Sequence, residues 1–304
     1  MKKHAVRALC VLAIVLCAGA LLYRGLHREG VTVHFYDVAE LDGQWGDCTF
    51  FTFPDGSNLL VDCGTAAAGE IIAADLRDRG VEKIDVLVLT HFHADHVGGY
   101  RKIAETFPIG QICSPGYVSR QFAWVEEDIA ARKIPYTYLR AGDTFTVGTA
   151  EIDVLWPLAE LVAENPTLDA SDTNCVIDTN NRSLVFRLKA EGVSVLMTAD
   201  IYKQAQRDIL DAYAGDLPAL EADILKIPHH GYENAVNIDF IQAVSPRYAV
   251  MEGNHVMTNV SYRHYTEAGC ATYASWMNGN VFATLKDGEA AVTADSLEIN
   301  DYYK

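Results

Sequence analysis

Apolar and polar positions alternate through Val31-Thr32-Val33-His34-Phe35-Tyr36, and the β-branched residues among them favour an extended chain, so this stretch is predicted to be a strand. Residues 49–53 and 58–61 flank Pro54-Asp55-Gly56, a turn signal that makes them a hairpin. The same logic pairs 144–147 with 151–155, 183–188 with 194–198 across Glu191-Gly192, and folds 281–294 around Asp287-Gly288. Short apolar runs at 86–89, 224–227 and 247–251, with a further strand at 111–113, suit strands covered on both faces. Helical patterns occupy 66–79, closed by Gly80, and 99–107, stopped by Pro108. Others fall at 121–132, 202–213 and 238–244, while 157–175 reads as irregular with a helix-like 158–164. Strands interleaved with helices, with hairpins at both ends, predict a layered α/β domain with mixed sheets.

The first residues break this pattern. Lys2, Lys3 and Arg7 precede the apolar segment 8–23, and Arg24 and Arg28 follow it. Ala18-Gly19-Ala20 resembles a cleavage site, but Leu21, Leu22 and Tyr23 prolong the apolar run past it. The expectation is therefore an uncleaved signal anchor in residues 1–30, with the basic amino end inside and a domain of residues 31–304 on the extracytoplasmic side of the membrane. Cleavage near Ala20 would instead release that domain. The chain has a formal charge of −17, and five of its Lys/Arg lie in residues 1–30, so the remainder is more acidic still. Such a surface is a poor footprint for gripping nucleic acid, which needs Lys and Arg to displace counterions. Two of the seven cysteines sit in the apolar segment. The other five are irregularly spaced and suggest buried thiols rather than a disulfide framework.

Chemistry concentrates where the predicted strands stop. His91-Phe92-His93-Ala94-Asp95-His96 follows 86–89 and carries three imidazoles and a carboxylate, the donors that zinc and similar cations prefer. In an extended chain His91 and His93 face the same side, and Asp95 and His96 fall on the next turn beside them. Gly98 and Gly99 follow, suiting tight backbone at a helix start. Three more strands end alike, in Asp62-Cys63-Gly64, Ala199-Asp200 and Pro228-His229-His230-Gly231. Two cations need six or more such ligands, and together these strand ends supply them.

These four motifs, in this order, resemble the metallo-β-lactamase superfamily, and more narrowly the soluble hydrolase domain of the ComEC competence group. Phe35-Tyr36-Asp37-Val38, Gly43-Gln44-Trp45-Gly46-Asp47, Pro54-Asp55-Gly56 and Asn180-Asn181-Arg182-Ser183-Leu184-Val185 are similar to segments of that group. The resemblance implies an αββα sandwich with two divalent cations at one edge, zinc favoured and manganese an alternative. It implies that His91 and His93 hold one cation, that Asp95 and His96 hold the other, that Asp200 bridges them and that His229 completes the second site. His230 would contact substrate, although these neighbouring histidines can exchange roles. Asp62 would be structural. A third histidine for the first cation is lacking between His96 and His229, and Asn174, Asn180 or Asn181 stands near its position. The His-Pro pair common in the ComEC group is also absent after 247–251.

The function implied is metal-dependent hydrolysis by a metal-bound hydroxide, with phosphodiesters as the favoured substrates. Asp95 would orient the water, and His230, ahead of Tyr262, His255 and His264, would protonate the leaving group. Acidic charge points toward a small or wall-attached phosphodiester more than toward DNA. Hydrolysis of a lactam, ester or thioester is the alternative, as is a surface protein that binds metal without turnover.

Overall fold

A computed structural model describes residues 30–38, 46–164, 167–168, 173–253 and 255–297. The apolar segment 8–23 lies outside them, and among the described residues no helix is long and apolar enough to cross a membrane. Two large sheets make the frame. The first runs, in order across the sheet, Glu289–Ala294, Val281–Lys286, Val31–Phe35, Thr49–Thr52, Asn58–Val61, Ile84–Val88, Ile109–Ser114 and Tyr136–Tyr138. The second runs Ala271–Ala274, Tyr248–Met251, Ile224–Lys226, Val193–Met197, Val185–Ala190, Ala150–Trp156 and Thr144–Val147. Each sheet is mixed. Hairpins build one side, and parallel strands with helical crossovers build the other.

Side-chain alternation sorts the core into three slabs. Val31, Val33, Phe35, Val86, Val88, Val195 and Met197 face inward between the sheets. Leu87 and Leu89, one residue out of phase with Val86 and Val88, pack with Leu60 under helices Ala66–Asp78, Tyr100–Thr106 and Ala123–Arg132. Leu196 and Leu225 do the same on the other sheet, under Lys203–Ala212, Ile238–Val244 and His255–Glu267. The result is the predicted helix–sheet–sheet–helix layering. Burial on both faces is why the central strands read as continuous apolar runs.

The turns follow their residues. Asp287 and Gly288 have φ of 51° and 82°, and Glu191 and Gly192 have 55° and 78°, the positive pair that a two-residue hairpin turn requires. Several elements depart from the sequence reading, among them the edge strand Tyr136–Tyr138. Thr173–Asn181, which begins at the end of the irregular stretch and runs on where no element was expected, is a helix, and His255–Glu267 and Ala271–Ala274 form a helix and a strand where none was expected. Both helices carry Thr, Asn and Val, and the second adds aromatic residues, all of modest helix propensity. In the second, Tyr262 and Tyr265 are buried in the slab under the second sheet, so tertiary packing supplies what local preference lacks. Cys48, Cys63, Cys113 and Cys270 are buried free thiols, as expected.

Candidate metal centre

The parallel strands of both sheets end at one edge, and their loops converge there. Ile84–Val88 leads to His91, His93, Asp95 and His96; Val193–Met197 to Asp200; Ile224–Lys226 to His229 and His230. Asn58–Val61, beside Ile84–Val88, leads to Asp62. Ligand sites commonly lie outside the carboxyl ends of parallel strands, where loops are free to vary on a rigid scaffold. Four non-glycine residues in these loops take the left-handed region: Asp62 (φ 59°), Ala199 (φ 45°), His229 (φ 46°) and His230 (φ 53°). Such backbone costs energy and persists where the surroundings hold it. Here the loops are pinned to one another: Cys63 N donates to His96 O at 2.7 Å, and His229 N to Ala199 O at 2.9 Å. A methyl group on Gly99 would run into the Cys63 carbonyl oxygen, which explains the glycine at this helix start.

Asp95, His96, Asp200 and His230 bring ligand atoms within 4.8 Å of one another. Asp200 Oδ2 is central. It lies 3.2 Å from His96 Nε2, 3.3 Å from His230 Nε2, 3.7 Å from His91 Nε2 and 3.9 Å from His229 Nε2. His91 Nε2 and His93 Nδ1 face each other at 3.1 Å. Both members of the Pro228-His229-His230-Gly231 motif reach the site, but His230 is the one inside the carboxylate cluster. It is 1 % exposed, with Nε2 3.1 Å from Asp95 Oδ2 and Nδ1 2.9 Å from the Glu252 carbonyl oxygen. His229 stands at the rim, its ring 4.5 Å from Tyr202 and 4.6 Å from Tyr232 between centroids.

The donor set fits divalent cations. Buried His93 Nε2, His96 Nε2, His229 Nδ1 and Asp200 Oδ1 have no hydrogen-bond partner. Orphaned buried acceptors and ring nitrogens are costly unless something compensates them. Nitrogen and carboxylate oxygen gathered around one point are what zinc-like ions take. Electrostatics divides the histidines. Burial, helped by repulsion from neighbouring imidazoles, drives His91 and His93 below the usual histidine range and His229 down to about 4. Burial works the same way on His96 and His230, but Asp200 with Asp62 outweighs it at His96, and Asp200 with Asp47 at His230, raising both. Asp200 and Asp95 hold their charge despite burial: His230 and His96 pull Asp200 well below the carboxylate range, and the hydrogen bond from His230 brings Asp95 to about 2.

Asp62 accepts from Thr90 N at 2.8 Å and Thr90 Oγ1 at 2.6 Å, and stands 2.8 Å from His96 Nδ1, so it fixes both loop and ring. Asn180 is buried with Oδ1 lacking a partner, whereas Asn181 is occupied by Tyr202 N and Trp156 Nε1. The side chains of Asn174 and His255 lie outside the described residues. Tyr262 is buried and donates to Thr272 O at 3.0 Å within the slab under the second sheet. Sequence reasoning missed Asp47 and Lys226, buried ion-pair partners behind His230, and Tyr202 and Tyr232 beside His229. Lys226 carried a signal, being a lone cation within the apolar run Ile224-Leu225-Lys226-Ile227.

Residues 45–171 match the family model described as Metallo-beta-lactamase superfamily. Competence protein ComA of Neisseria gonorrhoeae is 28% identical over 257 residues, covering 84% of this chain and 32% of that protein. ComE operon protein 3 of Bacillus subtilis (strain 168) is 25% identical over 291 residues, covering 87% of this chain and 33% of that protein. The chain thus spans about a third of the length of these relatives. Among solved structures, the metallo-beta-lactamase fold protein YhfI from Bacillus subtilis superposes with a TM-score of 0.55 at 14% identity, covering 87% of this chain and 100% of that one, a likeness of fold. On its motifs, its fold and these relatives, the chain carries a metallo-β-lactamase superfamily domain, matched over residues 45–171, and resembles the ComEC competence group.

Proposed function

We propose that this protein is a metal-dependent hydrolase acting on phosphodiesters. The observation that carries the reading is the convergence of Asp95, His96, Asp200 and His230 within 4.8 Å from three strand-end loops, with buried nitrogens and oxygens left without hydrogen bonds. In this reading Asp95, His96 and His230 hold one cation, His91 and His93 the other, and Asp200 both. His229 takes the rim position facing substrate, because its ring lies beside Tyr202 and Tyr232 rather than among the carboxylates. Bound there, the cations would acidify water and neutralise charge developing on a phosphoryl oxygen. Asp95 is the partly exposed carboxylate of the cluster, its side chain 24% accessible, so it can orient a water and accept its proton. His229, between Tyr202 and Tyr232, lines the approach.

The preference for phosphodiesters rests on the ComEC-like motifs, and the acidic surface favours a small or wall-attached ester over DNA. The test uses the full chain, stripped by chelator and reloaded with zinc or manganese. It is offered bis(p-nitrophenyl) phosphate, a chromogenic cephalosporin and a thioester. Metal-dependent cleavage of the phosphodiester is expected. Cleavage of the lactam or thioester alone would overturn the substrate class, and bound metal with no turnover would make this a binding protein. We further propose that residues 1–30 anchor the domain of residues 31–304 on the extracytoplasmic face of a membrane. Full-length protein should then sediment with membranes and be freed by deleting residues 1–30.

A further inference from the structure

We infer that Asp47, held in place by the buried Lys226 ammonium, is a positioning residue for His230 that strengthens Nε2 as a metal donor; this rests on His230 being a ligand. Asp47 lies just before the strand Thr49–Thr52 of the first sheet, whereas Lys226 ends a strand of the second and His230 follows it. The carboxylate spans the gap. Its Oδ2 pairs with Lys226 Nζ, and its Oδ1 lies 2.9 Å from His230 Nδ1. The side chains of Lys226 and Asp47 are 2% and 4% exposed. Asp47 N also donates to Asp95 O at 3.1 Å, which ties this residue to the ligand loop.

Both groups near His230 Nδ1 are acceptors: the Glu252 carbonyl oxygen, also at 2.9 Å, and Asp47. To hold a cation between Asp95 and Asp200, Nε2 must release the proton it donates to Asp95 and offer its lone pair, while Nδ1, facing two acceptors, keeps the other proton. A carboxylate behind a ligating imidazole raises the basicity of the donor nitrogen and fixes the ring plane. Asp62 backs His96 by a hydrogen bond at 2.8 Å, whereas Asp47 Oδ1 sits against His230 Nδ1 outside hydrogen-bond geometry and acts through its charge, the Glu252 carbonyl taking the hydrogen bond. Lys226 completes the device, because it occupies one Asp47 oxygen and keeps the carboxylate ionised in a buried place. A buried ion pair is rarely the most stable filling for a core, so its position behind this histidine argues for a role in the site.

A rival account is that the pair merely clasps the two sheets, as Glu252 does by accepting from Cys48 N and Thr49 Oγ1, each at 3.2 Å. The experiment separates the two in the full chain, using cobalt(II) as the probe. Affinity is measured by chelator competition, geometry by the visible cobalt spectrum, and stability by thermal unfolding of the metal-free protein. Asp47→Asn combined with Lys226→Met leaves no unpaired charge, so stability should return close to that of the natural chain. Cobalt affinity should stay about 10–100-fold weaker, with an altered spectrum. Glu252→Gln, which loosens only the clasp, should leave affinity unchanged. Natural affinity in the double variant, or an equal loss in Glu252→Gln, would overturn the inference. His230→Gln is the control for the underlying reading: unchanged cobalt binding there would remove His230 from the ligand set.

Discussion

The two halves of the site are built on opposite electrostatic plans. His96 and His230 each turn one ring nitrogen to a buried carboxylate, Asp62 or Asp47, and the other toward Asp200. His91, His93 and His229 have no such backing. The Thr90 hydroxyl, which donates to Asp62, is left to accept from His91 Nδ1 at 3.2 Å, and His93 Nε2 and His229 Nδ1 meet no partner. The same residue type therefore shifts in opposite directions within one cluster, upward where carboxylates surround it and downward where burial dominates. A backed imidazole is an oriented, electron-rich donor; an unbacked one is kept neutral chiefly by desolvation, with repulsion from its neighbouring imidazoles. The backed half should bind a cation tightly and the unbacked half more weakly, a difference that the missing third histidine deepens.

Asp200 serves both halves, so changing it should cost most. Asp200→Asn is expected to empty both sites and to lower turnover on the order of 10³-fold, as loss of a group that stabilises the transition state does. Metal content and hydrolysis rate measured together check this, and full occupancy at the natural rate would end the bridging assignment. Asp62→Asn acts only on the backed half. It should weaken the tight metal equivalent by about 10–100-fold, read by chelator competition. An equal loss of both equivalents would show that the halves do not differ as argued.

His93→Gln acts only on the unbacked half. The weaker equivalent should disappear while the tight one stays within about threefold, given limited coupling between the halves. The smallest effect isolates burial itself, at a histidine remote from the ligands. His34 is 5% exposed, bonded to Asn280 Oδ1 at 3.0 Å, with Asp75, Asp295 and Arg79 the charges near it, and burial lowers it to about 4. Below about pH 6.5 the unfolded chain takes up a proton that folded His34 refuses. Stability should therefore fall as pH drops from 6.5 toward 4, by at most about 3 kcal/mol, and then level off. Thermal unfolding across that range should lose this slope in His34→Gln. A slope unchanged by the substitution would mean that burial does not hold this imidazole neutral.

Much of the site was legible before the fold was. The spacing His91-Phe92-His93-Ala94-Asp95-His96 and the strand ends at Asp62, Asp200 and His229-His230 are local features, and strand alternation with Asp-Gly and Glu-Gly turns follows from short-range sterics. The helices Thr173–Asn181 and His255–Glu267 were not legible, because their residues are modest helix formers. In the second, buried Tyr262 and Tyr265 add packing that no local pattern announces.

By itself, then, the sequence determined which residue types arrive at strand ends, and with them the layered fold and the chemistry of the donors. Tertiary structure decided which of two adjacent histidines enters the cluster. Consecutive left-handed residues, His229 at φ 46° and His230 at φ 53°, aim the second ring inward and leave the first at the rim. It also decided the partnership of Asp47 with Lys226 and His230, which joins the two sheets across 179 positions of chain. Period and propensity act over a few residues; contacts between sheets depend on how the layers stack, and only the folded chain brings them together.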